Sequence, residues 1–186
     1  MFLNNFVKVL ASITILSILA GCAVTGEPRM ENVTFNGDNY TISNEALKNS
    51  ISVGEVENFP GTNNFTYGGK LAPNFSDESF KEVLEKSLMN ASLNGNGYVL
   101  DVKLIDSGDW SDWFESSLGE KSRKIEIEYA LTNSVSKEVI LSKVIESEVF
   151  ITNKNPLMPY NLTQRDAAEK SYSENIRKII EEIGNL

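Results

Sequence analysis

Residues 123–131 read RKIEIEYAL. Ile125, Ile127, Tyr129 and Leu131 alternate with Lys124, Glu126 and Glu128. A period of two puts the apolar set on one face of an extended chain and the charged set on the other. That is the pattern of a strand in an antiparallel sheet with one packed and one wet face. This stretch decides the fold class, because a sheet with one dry face needs a second layer to cover it.

The neighbouring segments supply the rest of the sheet. Upstream, Tyr98–Ile105 alternates in the same way, with Tyr98, Leu100, Val102 and Leu104 on one side and Asp101 and Lys103 on the other. Downstream, Thr132–Lys137 reads as a turn, and Glu138–Ile151 as a fourth, less regular strand, with a bulge expected near Lys143–Ser147. Ser50–Val56 (SISVGEV) is the first strand, with Ile51 and Val53 alternating with serines.

Two segments switch to helical spacing. Ser76-Asp77-Glu78 opens the first, with an N-cap serine and two acids at the positive end of the macrodipole. Phe80, Val83, Leu84, Leu88 and Ala91 form its apolar stripe, and Asn94–Gly97 stops it. In the second, Thr163 is the expected cap. Ala167, Ala168, Tyr172, Ile176, Ile179, Ile180 and Ile183 form the stripe, Asn175 sits on its edge as a backbone-bonded amide, and Gly184 is the expected C-cap. The order β-α-β-β-β-α predicts an α+β two-layer sandwich: a mostly antiparallel four-stranded sheet with two helices on one face.

That order fixes directions. The strand–helix–strand unit makes strands one and two parallel with a right-handed crossover, and strands three and four return by hairpins. Strands one, two and four then end at one edge of the sheet. Three loops leave that edge, over 58–75, 106–122 and 152–162, carrying Phe59, Tyr67, Trp110, Trp113, Phe114, Met158 and Tyr160. Aromatics and methionine are enriched at the cores of interfaces, and loops on a rigid scaffold commonly carry function. These seven residues are therefore the expected partner-binding set. The competing expectation is that they seal the end of the core.

Composition excludes several chemistries. The 186-residue chain contains no histidine, which removes Ser-His-Asp and Cys-His catalysis and zinc sites of the Cys/His type. Asp106, Asp109, Asp112 and Glu115 recur every three residues but lack the calcium-loop spacing, and read as a solvated acidic loop. The net charge of −9 argues against nucleic acid, whose affinity rests on Lys and Arg. The expectation is a protein that is not an enzyme and holds no metal and no cofactor apart from covalent lipid.

The leader supplies the lipid. Residues 1–21 carry one charge, Lys8, then an uncharged, mostly apolar run from Val9 to Gly21, and end in Leu19-Ala20-Gly21 before Cys22, the only cysteine. The run is shorter than the ~20 apolar residues a spanning helix needs and has the layout of a secretory signal. Leu19-Ala20-Gly21-Cys22 resembles the lipobox of bacterial lipoproteins. The resemblance implies cleavage before Cys22, a diacylglycerol on its thiol and an N-acyl chain on its new amino terminus. It also implies outer-membrane delivery in a Gram-negative host, since Ala23 rather than Asp follows. Each buried CH₂ contributes ~0.8 kcal/mol, and several chains together give stable anchoring. Cleavage leaves 165 residues at −10, since the leader holds one lysine and no acid.

Residues 22–49 are polar, without strong period, and read mostly as a lipidated tether, with a short strand expected at Val33, Phe35, Tyr40 and Ile42. Residues 50–186 form the single α+β domain. Its element order, with the run Ala167-Ala168-Glu169 to Asn175-Ile176, resembles small periplasmic lipoprotein domains of the transport-auxiliary and lipopolysaccharide-assembly types. The expected function is that of a non-enzymatic envelope lipoprotein, an accessory or assembly subunit that binds another envelope protein through the aromatic loops or the wet sheet face. The alternative is a carrier for a small apolar or glycan ligand. With the tether entering strand one from the opposite edge, the aromatic loops are expected to face away from the membrane.

Overall fold

The computed structural model describes residues 26–38, 40–62, 73–108, 119–153 and 160–186. A short helix α1 (Met30–Val33) precedes β1 (Ile51–Glu57), α2 (Asp77–Asn90), β2 (Tyr98–Asp106), β3 (Gly119–Asn133), β4 (Val139–Asn153) and α3 (Tyr160–Gly184). The sheet order is β1-β2-β3-β4, with β1 and β2 parallel and the other two pairings antiparallel. The expected α+β sandwich and its strand directions are thus observed, with one helix more than the sequence suggested.

The inner face is the apolar set read from the alternation. Leu100, Ile125, Ile127, Tyr129 and Leu131 are all fully buried against Phe80, Leu84 and Leu88 of α2 and Tyr172, Ile176 and Ile180 of α3. Helix α2 forms where its cap predicts: the Ser76 hydroxyl accepts from the Ser79 amide and the Ser79 hydroxyl accepts from the Ser76 amide, a reciprocal box that satisfies two otherwise open donors. The helix ends at Asn90, before the expected Asn-Gly run, because Ser92 already turns the chain with a φ of +58°.

Strand β1 bulges between Val53 and Val56. Gly54 permits this: a Cβ there would fall 2.1 Å from Asp101 Oδ1, the atom that accepts the Glu55 amide at 2.9 Å. No bulge occurs at Lys143–Ser147, since β3 and β4 pair without a shift from Gly119 opposite Asn153 to Leu131 opposite Leu141. The irregular alternation has another cause. Lys143 and Ser147 are polar residues in phase with inward-facing Ile145, and each has a partner on α3: Lys143 Nζ lies 2.7 Å from Glu182, and the Ser147 hydroxyl lies 3.2 Å from that of Ser171.

Strands β3 and β4 also run further than expected, because each completes the other's hydrogen bonds out to Gly119 and Asn153. The last helix starts at Tyr160, not at Thr163; no glycine or proline separates Thr163 from Pro159, and the helix takes up the intervening residues. Gly184 is the last helical residue and is absent from the left-handed glycines, so it is not the expected αL cap.

The largest correction concerns residues 26–49, which are packed rather than a free tether. Val33 and Leu47 are buried to 0% and 1% exposure, each a side chain whose burial is worth ~1.5–3 kcal/mol. The expected strand at Val33–Ile42 is not formed; Val33 is helical, and Phe35 and Tyr40 meet edge to face at 5.5 Å. Arg29 binds Glu169, the Tyr40 hydroxyl donates to the Ile180 carbonyl at 2.7 Å, and the Ser43 amide donates to the Gly184 carbonyl at 3.2 Å. This strap therefore runs along α3 in the same direction as the helix. A 3₁₀ turn at Glu45–Leu47 then delivers the chain to β1.

Candidate functional site

The edge where β1, β2 and β4 end, and where α2 and α3 begin, is the expected binding edge. Its floor is aromatic. Phe59 stacks on Phe80 with centroids 4.2 Å apart, and Phe75 meets Tyr172 edge to face at 5.1 Å. Phe59 is 5% exposed, and its amide donates to Asp77 Oδ1 at 2.7 Å. Of the seven expected partner residues Phe59 is thus a core residue, because its ring is buried and stacked on Phe80. Tyr160 is the first residue of α3 rather than part of a loop. Tyr67, Trp110, Trp113, Phe114 and Met158, together with Cys22, lie outside the described residues.

Beneath this floor sits Arg123, 1% exposed. Its guanidinium donates to the carbonyls of Ser107, at 2.9 Å, and Pro73 and to the side-chain oxygen of Asn74, and lies 5.5 Å from the centroid of the Tyr172 ring. The Tyr172 hydroxyl donates to the same Asn74 oxygen at 3.0 Å. Burial lowers the Arg123 pKa to about 10, so it stays charged at neutral pH, and burial raises that of Tyr172 to about 12. One side chain thereby ties the segment entering α2 to the segment leaving β2. The sequence does signal this residue: Arg123 is in phase with Ile125, Ile127 and Tyr129, so a charge at 123 points inward.

A second polar group crosses the sandwich between β3, β4 and α3. Tyr129 donates to Asn175 Oδ1 at 2.9 Å, and Asn175 Nδ2 donates to the Ile145 carbonyl at 2.8 Å. The Ser171 hydroxyl reaches the Arg123 and Ser147 carbonyls at 3.1 and 3.0 Å. Burial holds the Tyr129 hydroxyl well above its ordinary pKa, so it remains a donor. Asn175 is the backbone-bonded amide the sequence suggested. These groups are satisfied by one another, the arrangement of a structural tie rather than of a reactive centre.

The third cluster is the clamp of the strap. Arg29 donates through its backbone amide and Nε to Glu169 Oε1 and through Nη2 to Oε2, all at 2.9 Å, and Asn32 Nδ2 donates to Oε2 at 2.6 Å. Burial pushes the Glu169 carboxyl up, but the hydrogen bonds from Arg29 and Asn32 outweigh it and hold the group below its ordinary range.

The outer face of the sheet is different in kind. Lys124 bridges Glu126 at 2.7 Å and Glu146 at 2.8 Å across β3 and β4. Val144 and Phe150 flank this ion pair on the same face and are 50% and 59% exposed. Three open depressions are lined by described residues: ≈ 600 Å³ beside Phe150, Glu148 and Lys170, ≈ 460 Å³ beside Lys143 and Glu182, and ≈ 270 Å³ over Glu55, Asp101 and Glu128. All three are rimmed by charge. Among the described residues no group of three acidic or cysteine side chains is arranged to hold a metal ion, and no helix is long and apolar enough to cross a membrane.

No protein-family model and no curated protein matches the chain. Solved structures resemble it. A hypothetical protein from Chlamydia trachomatis superposes with a TM-score of 0.50 at 10% identity, over 74% of this chain and 96% of its own. A presumptive lipoprotein from Caulobacter crescentus gives 0.49 at 16% identity, over 76% and 92%. A minor lipoprotein from Acinetobacter baumannii gives 0.41 at 8%, over 74% and 92%. The Chlamydia structure, at a TM-score of 0.50 and 10% identity, shows a likeness of fold alone.

Proposed function

We propose that the chain is a membrane-anchored lipoprotein of the bacterial envelope, held by acyl chains on Cys22, that acts non-enzymatically as an accessory or assembly subunit docked on another envelope protein. The anchor rests on Leu19-Ala20-Gly21-Cys22, and Ala23 favours the outer membrane, facing the periplasm, in a Gram-negative host. The observation that supports docking is the contrast between interior and surface. The buried polar residues Asn74, Arg123, Ser147, Ser171 and Asn175 bond to one another or to backbone, while Val144 and Phe150 stand exposed beside an ion pair on a flat sheet face. Apolar residues ringed by polar ones are the composition of a docking patch. A carrier needs an enclosed apolar cavity, and the three depressions described are open and charged.

On this reading the contact surface is the outer face around Phe150, and the loop residues Trp110 and Trp113 are its rival. Photo-crosslinking in cells, with the probe at Phe150, at Trp113 or at Val135 as a control, separates them. A discrete protein adduct from Phe150 and none from Val135 is the expected result. An adduct from Trp113 alone moves the surface to the loop edge. Indistinguishable labelling at all three positions, with lipid or glycan co-purifying, overturns the docking reading in favour of the carrier.

A further inference from the structure

The strap fixes how the domain sits relative to its anchor. Arg29 meets Glu169, and Tyr40 meets Ile180, the same offset of 140 residues in both contacts. Between them α3 advances 11 residues, or ~16 Å, toward its C-terminus. Followed backwards, the strap therefore climbs toward the start of α3, which is the edge where β1, β2 and β4 end. Arg29 also reaches Asp166, one helical turn nearer that edge, at 3.4 Å. Upstream of Arg29 the chain stays on the body, since Pro28 and Gly26 are buried.

The spacer that remains is short. Three residues lie between Cys22 and Gly26, so the four Cα steps reach at most ~14 Å even when fully extended. The opposite end of α3, at Gly184, lies ~22 Å beyond Glu169. From these lengths and that direction, the geometry points to the edge formed by the C-terminal ends of β1, β2 and β4 as the membrane-facing end of the molecule, with Gly26 held within ~14 Å of the anchored Cys22. This rests on the anchor proposed at Cys22, and it reverses the orientation expected from the sequence, in which a loose tether let the same edge point away.

The occupant of this edge is a lipid bilayer surface, and the tether rather than the headgroups sets the contact. Among the described residues Glu57, Asp77, Glu78 and Asp106 stand exposed at this rim, and anionic headgroups repel them. The β3–β4 hairpin, with Val135 90% exposed at its tip, points the other way. Eight residues of rise along β2 separate the two edges by ~26 Å.

The test uses the full acylated protein reconstituted in phosphatidylcholine vesicles. Acylation consumes the only native thiol, so Glu78→Cys and Val135→Cys each accept a single spin label. Relaxation by nickel chelated on the lipid headgroups reports proximity to the surface. The expected result is several-fold stronger relaxation at position 78 than at 135. Equal relaxation, or a stronger effect at 135, overturns the orientation. Arg29→Ala with Asn32→Ala releases the clamp while leaving the sheet and its two main helices in place, and the contrast between the sites should shrink. A contrast unchanged in that variant overturns the role of the strap. Failure of the wild-type chain to float with vesicles and to incorporate palmitate in cells removes the anchor itself, and the orientation with it, a result distinct from vesicle-bound protein with the wrong contrast.

Discussion

Replacing Asn175 by Leu tests whether the polar tie between β3, β4 and α3 holds the sandwich together. Leu shares the branched skeleton of Asn but is larger, so the change opens no void and removes both hydrogen bonds from a closely packed site. It leaves the Tyr129 hydroxyl without its acceptor at 2.9 Å and the Ile145 carbonyl without its donor at 2.8 Å, and Tyr129 and Asn175 are both 0% exposed. Each orphaned group costs ~1–3 kcal/mol, offset by ~1 kcal/mol from the added apolar burial. The net loss is ~1–5 kcal/mol, centred on ~3, against a total stability of ~5–15 kcal/mol for a domain. At ~2–4 °C per kcal/mol for a chain of this length, Tm falls by ~10 °C. Adding Tyr129→Phe removes the orphaned hydroxyl and should return ~1 kcal/mol, although Tyr129→Phe alone is destabilising because it strips the donor from Asn175. Urea unfolding of the soluble chain lacking residues 1–21, with Cys22→Ser, gives all four free energies at constant m. Strict additivity of the two substitutions, or a loss under ~0.5 kcal/mol for Asn175→Leu, would refute the tie.

The clamp at Glu169 predicts a pH dependence with a definite sign. Its folded pKa is depressed, so its contribution is complete above the unfolded value of ~4.3 and is lost as pH falls through the folded value; the Tm advantage of wild type over Glu169→Gln should vanish in that window. Phe59→Ala should cost ~3–5 kcal/mol by urea unfolding and leave crosslinking at Phe150 unchanged, as befits a core residue. Gly184→Ala places a Cβ 1.9 Å from the Tyr40 hydroxyl. It should evict that ring from the strap and expose the amide of Ser43 to hydrogen exchange. Absorbance titration should find Tyr129 and Tyr172 still protonated after ordinary tyrosines have ionised, with stability falling between pH 10 and about 12 as the unfolded chain loses its phenolic protons first.

The sheet and the long helices were legible because each obeys a period. Alternation at Ile125–Leu131 marked the dry face, and the stripe from Ala167 to Ile183 marked α3. Two of the places where the sequence misleads share one cause: a polar residue at an inward position. Lys143 and Ser147 resembled a bulge because ion pairing to Glu182 and a hydroxyl contact to Ser171 are invisible without α3 in place. Arg123 was passed over as the start of a strand although its phase was inward. The strap had no period at all, since an extended segment lying in a groove buries isolated residues such as Val33 and Leu47 rather than a repeating face. Its specificity lies in single contacts to residues 140 positions away. Gly184 was read as a cap, and the reason for its missing side chain is the approach of Tyr40.

That separation bears on how the molecule assembles. The strap lies ahead of every strand in the chain and is completed by α3, which follows them all, so it has nothing to grip until α3 has been synthesised. Closing so long a loop is slow in entropy terms, whereas the β2–β3 and β3–β4 hairpins close locally. Assembly should therefore finish with the strap: hairpins first, α3 onto them, and the strap latched over the finished body. Early in folding residues 26–38 and 40–49 remain open, and the latch shuts only on a correctly folded domain.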